Sequence, residues 1–311
     1  MSLDYSIFKF KFTGQVHFGE KALENTKIGF GADTLFSALC IEAIKQGEEV
    51  LNNLIRYVHN NQLLISDAMP FIGKELYIPK PVMRIEKNNY DGNSRVKKKY
   101  KNMRYIKLSL LQEFLNGEYP IDNEQDFAEK LGKKTVLTRV ALRGEEESLP
   151  YRVGAYEFAD SNGLYIVAGF GNDKIKGKFE ELMEALSLVG IGGKRFSGLG
   201  RFEMFCDKTN KVDFEKRLKG EFNKYMTLSL SLPREDELEK ALQDAEYILE
   251  RHGGFVQSDR YADSHYRKKD LFVFGTGACF KYKFQGDIYD VSSSGRHPVY
   301  RYAVPMFLGI D

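Results

Sequence analysis

Residues 151–205 read YRVGAYEFADSNGLYIVAGFGNDKIKGKFEELMEALSLVGIGGKRFSGLGRFEMF. Two β-rich runs, 151–159 and 163–170, are separated by three turn residues, Asp160 to Asn162, which predicts a β-hairpin. Apolar residues then recur at helical spacing from Lys178 to Val189, and residues 199–205 predict a further strand beyond a glycine-rich loop. The segment is therefore predicted to fold as strand, strand, helix and strand.

The N-terminal residues supply the elements that precede this segment. Residues 5–18 alternate apolar and polar side chains, which predicts a half-buried first strand. Residues 29–47 predict a helix that Asp33 caps and Gly47 ends. The order through Phe205 is then β-α-β-β-α-β, the ferredoxin-like arrangement that RNA-recognition (RRM-like) domains share.

The chain is long enough for two domains, and the pattern changes after the first. About a hundred residues separate the first helix from the predicted second strand, so we expect an insertion at about 60–150 with structure of its own. The first domain is predicted over residues 1–208, and the polar residues 206–224 are predicted as the linker region. Residues 220–311 predict a smaller α+β domain, a degenerate copy of the first. Its predicted elements are a strand at 225–233, an acidic helix at 235–249 and β-rich runs at 271–277, 278–284 and 297–305.

Composition excludes several classes of protein. The 311 residues are 42% hydrophobic and 29% charged with a net charge of +2, which excludes a disordered, collagen-like or coiled-coil chain. Three dispersed cysteines and five histidines without ligand spacing predict no disulfide framework, no metal site and no cofactor. Without a signal peptide or an apolar run of membrane length, the sequence predicts a cytoplasmic protein with no membrane partner.

The loop Gly190–Gly200 has five glycines in eleven positions around Lys194 and Arg195. It matches neither the P-loop pattern, because Arg195 follows Lys194, nor the dinucleotide fingerprint, because the loop follows a helix. Glycines let a backbone approach an anion closely, so the loop amides and the two cations are suited to a sugar-phosphate chain. The alternative is a tight turn whose cations are only solvated.

The segment from Lys80 to Lys107 contains ten Lys or Arg residues against two carboxylates, a net charge of +8. Tyrosines alternate with the cations, and Asp91 to Asn93 suggest a turn, so a basic hairpin or loop that presents aromatic side chains is predicted. We interpret it as a surface for a nucleic acid or an acidic partner, the alternative being an ordinary solvated face. The candidate RNA contacts here are Lys80, Arg84, Lys97, Lys98 and Lys99.

Two further features contain histidines. His17 lies at the end of the predicted first strand, where it is either a general acid or base for RNA cleavage or, more simply, a hydrogen-bonding residue. Residues 292–301 form either a plain turn or the second domain's counterpart of the 190–200 loop, with Arg296 and His297 as candidate RNA contacts. A Ser-His-Asp site is not predicted, because no nucleophile elbow is present.

These motifs together resemble a known family. The pattern Gly190 through Phe202 resembles the glycine-rich loop of the RAMP proteins of CRISPR-Cas systems, and the chain is similar to the family of the fourth Csm subunit of type III-A effector complexes. The blocks that carry the resemblance are VHFGE (16–20), GADTLFSALCIEA (31–43), SDAMPFIG (66–73), LYIPKP (76–81), GIGGKRFSGLGRF (190–202), YMTLSLSLP (225–233) and GDIYDVSSSGRHPVYRYAVP (286–305).

The resemblance implies an α+β fold of two ferredoxin-like modules with a long thumb-type hairpin inserted in the first. It implies a non-catalytic subunit that holds the repeat-derived five-prime handle of the guide RNA (crRNA) and meets target RNA only indirectly. The implied protein partners are the large cyclase/polymerase-like subunit and the backbone subunit.

The resemblance also implies which residues contact the handle. These are Gly192, Gly193, Lys194, Arg195 and Ser197, with His17 and the helix start at Gly31–Thr34 near the same groove. The thumb is either residues 80–107 or 139–154, and the second fits the family spacing better, which places Arg139 and Arg143 near the guide. The alternatives are an endoribonuclease that matures guide RNA through His17, and a subunit that mainly docks other proteins.

Overall fold

The computed structural model describes residues 3–20, 22–85, 94–121, 125–143, 146–256, 266–293 and 295–311. The helices of these residues are α1 (Ala32–Gln46), α2 (Glu48–His59), α3 (Ser94–Asn102), α4 (Leu111–Leu115), α5 (Gln125–Leu131), α6 (Asp173–Val189), α7 (Lys211–Lys219) and α8 (Leu238–Ala241). The first ten strands are β1 (Asp4–Phe12), β2 (Phe18–Glu20), β3 (Ala22–Lys27), β4 (Leu63–Ile65), β5 (Met69–Ile72), β6 (Glu75–Pro79), β7 (Tyr105–Lys107), β8 (Gly132–Arg143), β9 (Glu146–Phe158) and β10 (Asn162–Phe170). The remaining strands are β11 (Phe202–Asp207), β12 (Tyr225–Thr227), β13 (Leu249–His252), β14 (Leu271–Phe274), β15 (Cys279–Phe280), β16 (Asp287–Asp290), β17 (Tyr300–Ala303) and β18 (Phe307–Gly309).

The main sheet is antiparallel and, in the part of the chain that the structure describes, contains seven strands. Its order is β11-β1-β10-β5-β6-β7, and β4 also pairs with β10. The first strand is buried on both faces rather than on one: Phe8 and Phe10 pack into one core cluster and Ile7 into another. The alternating sequence therefore predicted the strand but not the layer that covers its second face, because that layer comes from distant parts of the chain.

The predicted hairpin of 151–159 with 163–170 is wrong. The second of these strands, β10, pairs with β1, β4 and β5, whereas β9 pairs with β8. The turn follows the end of β9 and leads into β10, but a local turn signal does not determine which strands pair. The neighbours of β10 are β1 on one side and β4 and β5 on the other, so the expected insertion contributes β4 to β7 to the main sheet.

Two helices, α1 and α6, pack against each other and contribute about a third of the buried side chains of the first core cluster. The prediction that Gly47 ends α1 is confirmed, because its amide donates to the carbonyls of Ala43 and Ile44. The prediction that Asp33 caps α1 is wrong: Gly31 is the N-cap and makes no side-chain bond. Helix α6 begins before its predicted start at Lys178, because Asn172 caps it by accepting a hydrogen bond from the Ile175 amide.

The long hairpin of the molecule is β8–β9, which runs from Gly132 paired with Phe158 to Arg143 paired with Glu146. It contains residues 139–154, so the prediction of a hairpin there is confirmed. It packs against β3, and Val16 forms a β-bridge with Tyr156. The alternative segment, 80–107, instead forms α3 and β7, and its predicted turn at 91–93 lies outside the described residues.

The C-terminal residues form small sheets that share a core with the main sheet. The strand predicted at 225–233 is β12, which pairs with β15 and β18, and the predicted β-rich runs contain β14, β15 and β17. The acidic helix predicted over 235–249 is limited to a 3₁₀ turn at Glu235–Glu237 and α8, and the predicted linker contains α7, whose Phe214 is buried. The second core cluster joins Ile7 and Val167 of the main sheet to Met226 and Leu308, so the two halves pack against each other.

Neither a membrane-spanning helix nor a group of metal ligands is found among the residues that the structure describes. None of their helices is long and apolar enough to cross a membrane. Their His, Cys, Asp and Glu side chains form no group of three that is suited to a metal ion.

Candidate nucleic-acid interface

The glycine-rich loop between α6 and β11 is a compact, hydrogen-bonded structure. The Ile191 amide donates to the Gly200 carbonyl at 3.0 Å, and the Gly200 amide donates to the Gln15 carbonyl at 3.0 Å. A Cβ on Gly200, whose φ is +82°, would lie 2.1 Å from the Ile191 carbonyl oxygen, so only glycine fits there. Because the loop is closed on itself and on the residues after β1, its central residues, 192–198, are held in one arrangement.

His17 joins this loop to the long hairpin. Its side chain is only 5% exposed, and Nδ1 lies 2.5 Å from the carbonyl oxygen of Gly154 on β9. Its own carbonyl accepts a hydrogen bond from the Gly193 amide at 2.9 Å, and a Cβ on Gly193 would lie 2.7 Å from the His17 ring. His17 is therefore placed between hairpin and loop, and the glycines at 192 and 193 allow the loop to pass directly over it.

Lys194 and Arg195 extend from the top of the loop. Lys194 has a left-handed backbone (φ +59°) and precedes a 3₁₀ turn, Arg195–Ser197, in which the Ser197 amide donates to the Lys194 carbonyl at 2.9 Å. Across the residues that the structure describes, neither cation forms an ion pair with a carboxylate. Each lies instead over an aromatic ring, Lys194 Nζ 4.8 Å from the Tyr151 ring and the Arg195 guanidinium 5.5 Å from the Phe196 ring. These charges are not used to hold the fold together.

The hairpin provides further cations beside the loop. Arg139 on β8 is paired in register with Tyr151 on β9, whose ring lies under Lys194, and Arg152 is exposed next to it. Arg143 ends β8, and its side chain lies outside the described residues. The structure thus brings together His17, the 192–197 loop and the hairpin that contains Arg139.

The basic residues of 80–107 are elsewhere. Lys80 follows β6, whereas the glycine-rich loop leads into β11. Three strands lie between β6 and β11 in the sheet, so at roughly 4.8 Å between neighbouring strands the two are about 19 Å apart. The Lys80 ammonium donates to the Tyr100 carbonyl at 2.6 Å, and burial lowers its pKa. The Arg84 amide donates to Glu246 at 2.9 Å, and Lys97, Lys98 and Lys99 lie on α3. This segment forms a second basic region, not part of the loop site.

The passage with Arg296 and His297 joins β16 to β17. His297 Nδ1 lies 2.8 Å from the carbonyl oxygen of the next residue, Pro298, and Arg296 is exposed. The Val291 amide donates to Val299 across the base of the passage at 2.8 Å. The passage closes a two-stranded sheet, as a plain turn does, and lacks the dense glycine pattern of the 190–200 loop.

The start of α1 makes polar contacts within the chain itself. The Ala32 amide donates to the Asp67 carboxyl group at 2.8 Å, so the chain supplies its own hydrogen-bond acceptor at this position. Burial raises the pKa of Asp67 to about 8, although the hydrogen bond from Ala32 opposes the shift. Asp33 is paired with Arg301, whose Nη1 is 2.8 Å from its carboxylate. That Gly31–Thr34 lie near the RNA groove stays a prediction, and the Asp67 side chain already accepts one amide of this helix N-terminus.

Sequence reasoning missed Phe196 and Tyr151 as members of this site. Phe196 is 96% exposed, and Tyr151 supplies the ring under Lys194. The sequence signal for Phe196 was an aromatic residue between cations and glycines, with no apolar neighbours at helical or strand spacing. Nothing local identifies Tyr151, because it reaches Lys194 only through the position of the hairpin.

Comparison with known proteins identifies the class. The family model of the CRISPR Csm4 C-terminal domain matches residues 221–310. The CRISPR system Cms protein Csm4 of Mycobacterium tuberculosis strain H37Rv is 36% identical over 311 residues, which cover 98% of this chain and 97% of that protein. The protein of the same name from Streptococcus thermophilus is 30% identical over 303 residues, covering 95% of each chain. The chain is thus a protein of a CRISPR system.

Solved structures agree on the fold. A crystal structure of a Csm3-Csm4 subcomplex of the type III-A CRISPR-Cas interference complex matches with a TM-score of 0.65 at 17% identity, over 99% of both chains. A Csm1-Csm4 cassette in complex with cA4 matches with a TM-score of 0.61 at 18% identity, over 99% of this chain and 98% of that one. Within the class, the chain belongs to the Csm4 family, which confirms the resemblance to the fourth Csm subunit.

Proposed function

We propose that this chain is the non-catalytic guide-RNA-binding subunit of a type III-A interference complex and holds the five-prime handle of crRNA at the glycine-rich loop. The observation that carries the proposal is the state of Lys194 and Arg195. Both cations extend from a rigid loop without a carboxylate partner in the described chain, beside a long hairpin with further arginines. Such an arrangement suits a phosphate backbone, because salt bridges to phosphate replace only water and counterions.

We further propose that β8–β9 is the thumb that lies beside the guide RNA. It is the long hairpin of the described chain, and several of its apolar side chains are exposed, which favours a surface covered in an assembly. The exposed apolar residues are Val136, Val140 and Leu149. Arg139 is then a guide contact, and Arg143 is proposed as one from its position at the end of β8.

We propose two ferredoxin-like modules for the fold. The first spans residues 1–208, with the insertion at about 60–150, and is supported by the order β11-β1-β10 with β4 and β5 beside β10. The second spans residues 220–311, close to the 221–310 matched by the family model. The one α-helix among its described residues is the short α8, so we regard it as a degenerate copy.

The protein partners follow from relatives. A Csm4 protein occurs with Csm3 in one solved subcomplex and with Csm1 in another. We propose that this chain likewise links a backbone subunit to the large cyclase/polymerase-like subunit. The second basic region, with Lys80 and Arg84 near the C-terminal half and the α3 lysines, is a candidate for one of these contacts rather than for the handle.

His17 has a positioning role in this proposal. Within the described chain, its side chain makes one hydrogen bond, to a backbone carbonyl, and its ring is covered by Gly193. A general acid or base must reach the reacting atoms, which a ring held between two segments does not do without movement of the loop. The geometry therefore favours binding over an endoribonuclease that uses His17.

The test is RNA retention by the full chain. We expect Lys194→Ala with Arg195→Ala to weaken binding of handle RNA and to lower the salt slope by about 1.4, since each single-strand phosphate contact contributes about 0.7. The matched control, Lys174→Ala with Lys208→Ala, removes two exposed charges outside the site and leaves the slope nearly unchanged. Equal effects of both pairs would refute a loop-centred site. Metal-independent RNA cleavage that His17→Ala abolishes would instead establish the endoribonuclease.

A further inference from the structure

Phe196 is the most exposed of the large apolar side chains in the described chain, at 96% of its surface. Burying a phenylalanine contributes roughly 1.5–3 kcal/mol, so a fold that leaves one in water gives up that stabilisation. The core lies next to it in sequence: Leu199 and Phe202 are both buried. The exposure of Phe196 is therefore a property of its position at the top of the loop.

The loop prevents the ring from turning inward. Phe196 is the central residue of the 3₁₀ turn Arg195–Ser197, with the Ser197 and Gly198 amides bonded to the Lys194 and Arg195 carbonyls, each at 2.9 Å. Gly198 follows with φ +85° and reverses the chain. The backbone at Phe196 is thus fixed on both sides, and its side chain is presented outward by a preorganised turn.

The charges around the ring favour one kind of ligand. Residues 190–202 contain three cations and no carboxylate, and the Arg195 guanidinium lies 5.5 Å from the ring centroid. An apolar pocket of a partner protein that covered Phe196 would also have to desolvate Lys194 and Arg195, which is costly without paired anions. A nucleotide supplies both components, a flat base for the ring and phosphates for the cations.

We infer that Phe196 is a base-stacking platform, on which one nucleobase of the bound single strand lies against the ring while Lys194 and Arg195 contact the adjacent phosphates. The inference rests on the proposed function and adds that the loop binds the base itself as well as the backbone. Stacking tolerates any base, because every base has a π-face, so the contact fixes the position of a nucleotide rather than its identity.

The experiment compares Phe196→Leu and Phe196→Tyr in the full chain, using an eight-nucleotide single-stranded RNA and the same RNA with an abasic site at each position in turn. Leucine is apolar but not flat, so we expect Phe196→Leu to weaken binding roughly 5- to 150-fold, whereas Phe196→Tyr stays within about threefold of wild type. At one abasic position the affinity of the wild type for RNA should fall by the same factor, and the affinity of Phe196→Leu should fall no further. Since the side chain is exposed, the thermal midpoint of either variant should stay at the wild-type value.

The outcomes separate this inference from the proposed function. Suppose that Lys194→Ala with Arg195→Ala weakens binding, but that Phe196→Leu binds the intact RNA and every abasic RNA with wild-type affinity. The stacking platform is then wrong and the loop site stands. If Phe196→Leu binds RNA normally yet fails to retain a partner subunit in the assembled complex, the ring is a protein contact and the inference is overturned. If the wild-type chain and the assembled complex bind the RNA nowhere near residues 190–197 by crosslinking, both are overturned.

Discussion

The glycine-rich loop and the start of α1 both looked like phosphate sites in the sequence, yet the fold treats their charges in opposite ways. At the loop, Lys194 and Arg195 lie over aromatic rings, and neither forms an ion pair with a carboxylate of the described chain. At α1, Asp67 accepts from the helix amide, and Asp33 forms an ion pair with Arg301. A helix terminus or a basic loop is thus a ligand site only where the chain has not already supplied the counter-charge.

The buried group also joins the two halves of the molecule. Arg301 on β17, 5% exposed, contacts Asp33, His252 and the Gly253 carbonyl. Burial raises the pKa of Asp33, but the hydrogen bond and charge of His252 and the charge of Arg301 outweigh it, so the pKa lies below its usual value. The carboxylate therefore stays charged in the interior, and its partners come from the C-terminal half.

The largest effect should follow from removing Arg301. Arg301→Ala leaves the Asp33 carboxylate buried without its closest cation, so we expect the free energy of unfolding to fall by about 3–5 kcal/mol, measured by urea denaturation. Arg152→Ala, an exposed arginine on β9, is the matched control and should change stability by less than about 0.5 kcal/mol.

If Arg301→Ala does not fold, the double variant Asp33→Asn with Arg301→Met decides the matter. It removes both charges and should recover a folded protein, because replacing a buried ion pair by uncharged groups is often neutral. A loss for Arg301→Ala as small as that of Arg152→Ala would show that the group does not hold the halves together.

A smaller effect is expected at the loop, where two glycines with similar backbones differ in surroundings. Gly200→Ala places a Cβ 2.1 Å from the Ile191 carbonyl oxygen, and Gly198→Ala, with φ +85°, meets nothing within 4 Å. We expect about 3 kcal/mol lost at Gly200 and about 1 kcal/mol at Gly198, where only the left-handed backbone is strained. Urea denaturation of the two variants, with RNA binding measured in parallel, tests the difference. Equal losses would mean that the loop is not closed through Gly200.

The sequence revealed the loop but not its surroundings, for a physical reason. Gly190–Gly200 is a local signal, because positive φ and close approach require glycine at fixed positions. Arg301 and Asp33, by contrast, are far apart in the chain, and no periodicity links them, so their pairing was missed and Asp33 was misread as a cap. The wrong partner for β10 has the same cause: turn residues predict where a strand ends, while pairing is decided by packing across the whole sheet.

A change that depends on pH is expected at Asp67, and it tests whether the α1 start is bonded to a carboxylic acid or to a charged carboxylate. Burial raises the pKa of Asp67 to about 8, against an ordinary value of about 3.9 in the unfolded chain. The folded protein then holds a proton that the unfolded chain releases, so this contribution to stability is fully present below about pH 4 and is lost as the pH rises towards 8.

Asp67→Asn cannot titrate, and its side-chain oxygen accepts the same bonds from the Ala32 and Leu230 amides. We therefore expect the free energy of unfolding of Asp67→Asn, relative to wild type, to increase by up to about 1.4 kcal/mol per pH unit between pH 4 and pH 8, in urea titrations at each pH. Parallel pH profiles for the two proteins would mean that Asp67 is a charged carboxylate in the fold, and the α1 start would then be neutralised by a true anion, as a phosphate would neutralise it.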